Sequence, residues 1–230
     1  MSDNIRVGLI GYGYASKTFH APLIAGTPGM ALAAVSSSDA AKVHADWPSV
    51  PVVSEPKHLF NDPNIDLIVI PTPNDTHFPL TKAALEAGKH VVVDKPFTVT
   101  LSQARELDAL AKSLGRLLSV FHNRRWDSDF LTVKRLLSEG TLGEILFFES
   151  HFDRFRPQVR NRWREQAGPG SGIWYDLAPH LLDQAVNLFG LPVSMTVDLA
   201  QLRPGAQTTD YFHAVLSYPC LLYTSPSPRD

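Results

Sequence analysis

Apolar and polar positions along the first half of the chain follow two alternating periods. Residues 5–10, Ile-Arg-Val-Gly-Leu-Ile, form a nearly continuous apolar run, the pattern of a strand covered on both faces of a parallel sheet. Phe19 and Leu23 stand four apart, as on a helix, which Thr27-Pro28-Gly29 ends, and Met30–Val35 predicts a second strand. A short strand at Val52-Val53, a helical turn near His58–Asn61, a strand over Ile65–Ile70 and a helix over Leu80–Ala87 closed by Gly88 continue the series. The β-branched run Val91–Val93 predicts a fifth strand. Thr100 with Gln103 predicts a capping box that opens a helix ending at Gly115, before a sixth strand at Leu117–Phe121. Strictly alternating strands and helices predict an α/β, doubly wound parallel sheet.

The pattern changes after Phe121. Asp127–Glu139 places Phe130, Val133, Leu136 and Leu137 on one helical face, and Glu144–Phe152 reads as a strand. A loop rich in arginine and tryptophan runs from Arg154 to Gly172, followed by a helix from about Tyr175 to Phe189. Two β-rich runs, Ser194–Leu202 and Asp210–Tyr218, have no crossover helix between them, which predicts antiparallel pairing. The expected organisation is a first domain over 1–121 and an incomplete α+β domain with a mainly antiparallel sheet over 122–219. The closing peptide, 220–230, resembles the translation of a transposase sequencing adapter, so the natural frame is expected to end at Pro219.

Composition narrows the function. Of 230 residues, 44% are apolar and 19% charged, and Lys+Arg 21 against Asp+Glu 23 leaves a net charge of -2, so no basic field is present to gather nucleic acid. Neither a leader nor an apolar run of ~20 residues is seen, which points to a cytoplasmic protein without a membrane span. The single cysteine, Cys220, excludes a disulfide framework and a cysteine-rich metal site.

Three stretches could carry chemistry. The first strand runs into Gly11-Tyr12-Gly13-Tyr14-Ala15-Ser16, a glycine turn leading to a helix that starts near Ala15 and could cradle a pyrophosphate, or could be an ordinary strand-to-helix turn. Where an acid would hydrogen-bond the ribose of NAD stand Ser36, Ser37 and Ser38, with Asp39 and Lys42 beyond. Small hydroxyls there leave room for a 2′-phosphate, so NADP is expected, NAD being the alternative; the serines could equally cap a loop. Pro71-Thr72-Pro73-Asn74 forms an open loop at a strand end, and Asp94-Lys95-Pro96 follows the fifth strand, where Lys95 could hold a substrate hydroxyl or simply face solvent. Asp176 and His180 lie one helical turn apart, so the carboxylate could fix the histidine tautomer for proton transfer, or both could be capping residues.

Together, the glycine turn, Thr72-Pro73-Asn74 with His77, Asp94-Lys95-Pro96, Asn123-Arg124-Arg125-Trp126 and the segment from Gly170 to Asp183 resemble the Gfo/Idh/MocA oxidoreductases over Ile5 to about Pro219. The resemblance implies a Rossmann NAD(P)-binding domain and a dehydrogenase of sugars or cyclic polyols such as inositols, a homo-oligomer when full length. It matches the family's Glu-Lys-Pro lysine with Lys95, Asp94 standing for the glutamate, and the family's catalytic segment with Asp176 and His180, although Ala178 and Pro179 depart from its usual glycine and serine. The reading assigns His180 as the base, Asp176 as its orienting carboxylate and Lys95 as the alkoxide donor. Cofactor contacts are expected from Gly11, Tyr12, Gly13, Tyr14, Ala15, Ser36, Ser37, Ser38, Thr72, Pro73, Asn74, His77, Asp94, Lys95 and Pro96. Asn123, Arg124, Trp126, Arg154 and Trp163 are candidates for the polyol pocket, and no metal is expected. A non-catalytic NAD(P) sensor and a reductase of a non-sugar carbonyl or imine remain open.

Overall fold

The computed structural model describes residues 4–219; the expectation for 220–230 lies outside them. The chain separates into two compact units, one ending at Phe121 and the other beginning at His122. Among the described residues the first contains a six-stranded sheet built from β1 (Ile5–Ile10), β2 (Met30–Ser36), β3 (Val52–Val53), β4 (Leu67–Ile70), β5 (His90–Asp94) and β6 (Leu118–Phe121). All pairings are parallel, in the order β3-β2-β1-β4-β5-β6. The order reverses between β1 and β4, so their carboxyl ends frame the switch point where ligands of doubly wound sheets sit.

Burial explains the unbroken apolar runs. Val7 and Leu9 of β1 join one core with Val35 and Val69, against α1 (Ala21–Gly26) and α2 (Ala40–His44). Ile10 belongs to the other core with Ile68, Ile70, Val91 and Val93, against α3 (Pro56–Asn61), α4 (His77–Glu86) and α5 (Leu101–Ser113). Both faces of the sheet are covered, so neither face of a central strand can be polar. Gly8 suits this packing, because a Cβ there would stand 3.0 Å from the Ile68 side chain and push it aside.

Several expectations need correction. The first helix contains a π-helical turn over Ser16–His20, and the wider turn rotates the face that follows. Ser16, His20, Ala21 and Ile24 are the buried positions, whereas Phe19 and Leu23 are 36% and 54% exposed. The strand expected over Ile65–Ile70 begins only at Leu67, since the Ile65 carbonyl accepts a hydrogen bond from the buried Lys89 Nζ at 2.7 Å. Thr100 accepts from the Gln103 N–H at 3.3 Å, but Gln103 Oε1 has no partner among the described residues, so only half of the capping box forms.

The second unit contains α6 (Ser128–Ser138), α7 (Gly172–Phe189) and an antiparallel pair, β7 (Ser194–Ala200) and β8 (Tyr211–Ser217), in register from Ser194↔Ser217 to Ala200↔Tyr211. The strand predicted over Glu144–Phe152 does not form. Its apolar side chains find partners, Phe148 against Phe189 at 5.3 Å and Phe152 beneath the Arg124 guanidinium at 5.4 Å, but its backbone has no ladder neighbour among the described residues. The helix expected from Tyr175 starts at Gly172, so Pro179 lies inside it rather than in its first turn. Among the described residues no helix is long and apolar enough to cross a membrane, and no group of three or more His, Cys, Asp or Glu side chains could hold a metal ion.

Candidate functional site

In the first unit the predicted residues gather at the carboxyl ends of the strands. Gly11 turns with φ +79°, a conformation that a side chain would disfavour, and its N–H donates to the Ser36 carbonyl at 2.7 Å. Ser16, at the third fingerprint position, is fully buried and its hydroxyl donates to the Gly11 carbonyl at 2.9 Å, closing the turn that a glycine or alanine usually closes by size alone. At Gly13 a Cβ would meet no atom within 4 Å. That open cradle, followed by helical backbone from Tyr14, suits a pyrophosphate approaching the first free N–H groups.

The side chains around the turn divide in role. Tyr12 is buried and its hydroxyl donates to Asp46 at 2.9 Å, while Lys17 Nζ pairs with the same carboxylate at 2.8 Å. These donors, Lys17 first, hold the Asp46 carboxyl below its ordinary range; burial and then Asp46 raise the Tyr12 phenol. Tyr12 therefore anchors the turn through its ring, whereas Tyr14 is exposed and lies edge-on to Phe19 at 6.0 Å. Ser36 is buried. Ser37 closes a small turn, accepting from the Asp39 N–H at 3.1 Å, Ser38 is exposed, and Asp39 caps α2 by accepting from the Lys42 N–H at 3.0 Å.

Thr72, Pro73 and Asn74 leave β4 in a loop that passes into a short 3-10 turn, Asn74–Thr76. His77 begins α4, is wholly buried, and has Nδ1 2.8 Å from the Pro96 carbonyl and Nε2 2.9 Å from the Thr72 carbonyl. Both ring nitrogens meet protein carbonyls, so His77 ties the loop after β4 to the loop after β5. Lys95 follows β5 directly, half-buried, and joins Pro96 through a cis peptide bond. Asp94 Oδ1 lies 3.7 Å from Nε2 of His20, a buried ring packed on Phe121 at 4.3 Å. Sequence reasoning missed His20; its only signal was its place four residues beyond Ser16.

In the second unit α7 carries Asp176 and His180 four apart on one face, His180 buried and Asp176 partly exposed. Arg164 Nε lies 3.6 Å from Asp176 Oδ1 and its guanidinium stacks on Trp163 at 4.5 Å. A cavity of about 320 Å³ opens beside Asp176, lined among others by Arg154, Arg156, Arg164, Thr208 and Thr209. Gly172 makes its wall possible: φ is +89°, and a Cβ would fall 2.5 Å from the Thr209 hydroxyl and 2.7 Å from that of Thr208. Ile173 N–H donates to the Thr209 carbonyl at 2.8 Å, which fixes this loop to the first turn of α7.

A charged cluster stiffens the same wall. Glu165 accepts from Arg162 at 2.6 Å, from the Arg160 N–H at 2.9 Å and from Arg203 at 3.2 Å, and Arg203 Nε donates to Asp210 at 2.9 Å. Burial pulls the Glu165 and Asp210 carboxyls upward, but these donors and the N–H groups of Leu202 and Arg203 outweigh it, and both sit below the ordinary carboxylate range.

Of the five polyol candidates only Arg154 lines this cavity. Arg124 is committed to Asp127 at 2.7 Å and to the Phe152 ring, Trp126 is 76% exposed on the Asn123–Trp126 turn, and Trp163 is covered by Arg164. Asn123 lies on that turn as well. The neighbouring Arg125, which was not a candidate, grips Asp183 through two bonds of 2.7 and 2.6 Å.

The model of an oxidoreductase family with an NAD-binding Rossmann fold matches residues 5–122, and that of the GFO/IDH/MocA C-terminal domain matches residues 130–224. An uncharacterised Escherichia coli oxidoreductase, YdgJ, is 89% identical over 95% of the chain and 63% of its own length. The Bacillus subtilis scyllo-inositol 2-dehydrogenase (NADP(+)) IolW is 43% identical over 94% of the chain and 60% of its own. The chain thus spans about three fifths of the length of these curated relatives. A solved oxidoreductase structure from Yersinia pestis superposes with a TM-score of 0.90 at 74% identity, covering 96% of this chain and 62% of that one. A Synechocystis biliverdin reductase, solved with biliverdin and NADP+, gives a TM-score of 0.74 at 26% identity, covering 91% and 66%.

Proposed function

Because the chain belongs to the Gfo/Idh/MocA family of NAD-binding oxidoreductases, we propose that the whole protein is an NADP-dependent dehydrogenase of a sugar or cyclic polyol such as an inositol. The observation that carries the reading is the placing of Asp176 and a buried His180 four residues apart on one face of α7, with Asp176 lining a cavity. A secondary alcohol gives up hydride readily only as its oxygen loses a proton. When bound, the nicotinamide supplies the acceptor for that hydride. His180 takes the hydroxyl proton, Asp176 orients the imidazole, and Lys95 hydrogen-bonds the developing alkoxide, its charge favouring the transition state over the neutral alcohol. Gly11, Gly13 and the helical N–H groups that follow receive the pyrophosphate, and Ser37 and Ser38 leave room for the 2′-phosphate. The NADP dependence named for the Bacillus subtilis relative supports that choice over NAD.

The protein is expected to work in the cytoplasm as a homo-oligomer. A second reading, reduction of a non-sugar carbonyl or imine, is favoured by the likeness to a biliverdin reductase. The test is a panel of inositols, aldoses and a tetrapyrrole with NADP+ or NADPH and with the NAD pair, followed by nicotinamide absorbance on the full-length enzyme. Polyol-dependent NADP+ reduction supports the first reading, and turnover confined to the tetrapyrrole supports the second. Cofactor binding without any turnover would make the protein a sensor.

A further inference from the structure

We propose that the cavity beside Asp176 holds a carboxylate or phosphate, so that the substrate is a polyol bearing an acidic group. The inference rests on the dehydrogenase reading and narrows its substrate class. Charge is the first argument. Five guanidiniums line the cavity, Arg154, Arg156, Arg162, Arg164 and Arg203, against three carboxylates, Glu165, Asp176 and Asp210. The carboxylates are taken: Glu165 by Arg162 and Arg203, Asp210 by Arg203, and Asp176 has Arg164 beside it. Among the described residues neither Arg154 nor Arg156 forms an ion pair within 4.0 Å. Burial, and then the cations of Arg154, Arg160 and Arg162, lower the Arg156 guanidinium, with Glu165 as the opposing charge. Two uncompensated guanidiniums on one cavity wall repel each other, and an anion between them removes that repulsion.

Shape and donors agree with charge. About 320 Å³ lies at the small end of ligand pockets, which run ~300–1,000 Å³, and suits a single ring rather than a polymer. A guanidinium presents a planar fork that matches two oxygens of a carboxylate or phosphate. Ser171 gives its hydroxyl proton to the Gly168 carbonyl at 2.8 Å and lies 3.3 Å from the Thr208 hydroxyl, and Thr208 and Thr209 both line the cavity. A neutral polyol would use the hydroxyls and leave the charge of Arg154 and Arg156 unanswered.

The test is calorimetric titration of the full-length protein with glucuronate, inositol 1-phosphate and inorganic phosphate, against glucose and scyllo-inositol. The charged ligands should bind about tenfold or more tightly than their neutral counterparts at low salt, with the advantage shrinking as salt rises. Glucuronate and inositol 1-phosphate separate a carboxylate from a phosphate preference. In R154Q/R156Q the advantage should fall to about threefold or less. R154Q alone, at an exposed position, should lose part of it without risk to the fold. Equal affinity for charged and neutral ligands would overturn the proposal, as would an advantage that survives both substitutions, which is the result if the Gly11–Ser16 turn takes the anion. Binding is read without turnover. A protein that holds acids through Arg154 and Arg156 but reduces no NADP+ would therefore sink only the dehydrogenase reading.

Discussion

At the scale of single residues, Gly13 and Ser16 do opposite work in one turn. Ser16 is buried and bonded to Gly11, so Ser16→Ala loses a hydrogen bond and leaves the Gly11 carbonyl one donor short. A cost of about 1 kcal/mol in urea unfolding is expected. Gly13 touches nothing where a Cβ would stand and is not in a left-handed conformation. Gly13→Val should therefore leave the urea midpoint unchanged while weakening NADPH binding about tenfold or more, as read by nicotinamide fluorescence. A fall in stability with affinity intact would remove the phosphate role from this turn. The glycines, the serine run and Lys95 were legible in the sequence because strand-to-helix turns are written locally. His20 was not, because what defines it is distant, Asp94, and the motif that marks His77 does not show its bond to a carbonyl 19 residues away.

At the scale of elements, the central strands of the first unit were readable because they are largely buried on both faces and so almost purely apolar. The segment Glu144–Phe152 has a strand's composition without a ladder partner, and composition says nothing of partners. The π-helical turn was equally invisible, since it changes the period on which face assignments rest. Within the second unit, the loop before α7 is joined to the turn before β8 by Arg203, which binds Glu165 and Asp210, both almost fully buried. Both carboxyls lie below their ordinary values. Their contribution to stability is thus complete above the ordinary carboxylate range near pH 4 and is lost as the pH falls through the lowered values. Arg203→Ala should cost about 1–2 kcal/mol at neutral pH, because Glu165 keeps Arg162 and the Arg160 N–H and Asp210 keeps the N–H groups of residues 202 and 203, and it should flatten the acid limb of stability against pH. Urea unfolding from about pH 7 to pH 3 checks both.

At the scale of the whole molecule, the chain has a dinucleotide-binding unit and a second unit that carries Asp176 and His180, and the proposed function turns on His180 moving the proton that hydride transfer requires. The direct measurement is steady-state polyol oxidation by the full-length His180→Ala enzyme, beside an NADPH titration of the same protein. The expected result is a kcat lower by ~10²–10⁴ with the NADPH dissociation constant unchanged. Turnover at the wild-type rate would remove His180 from proton transfer.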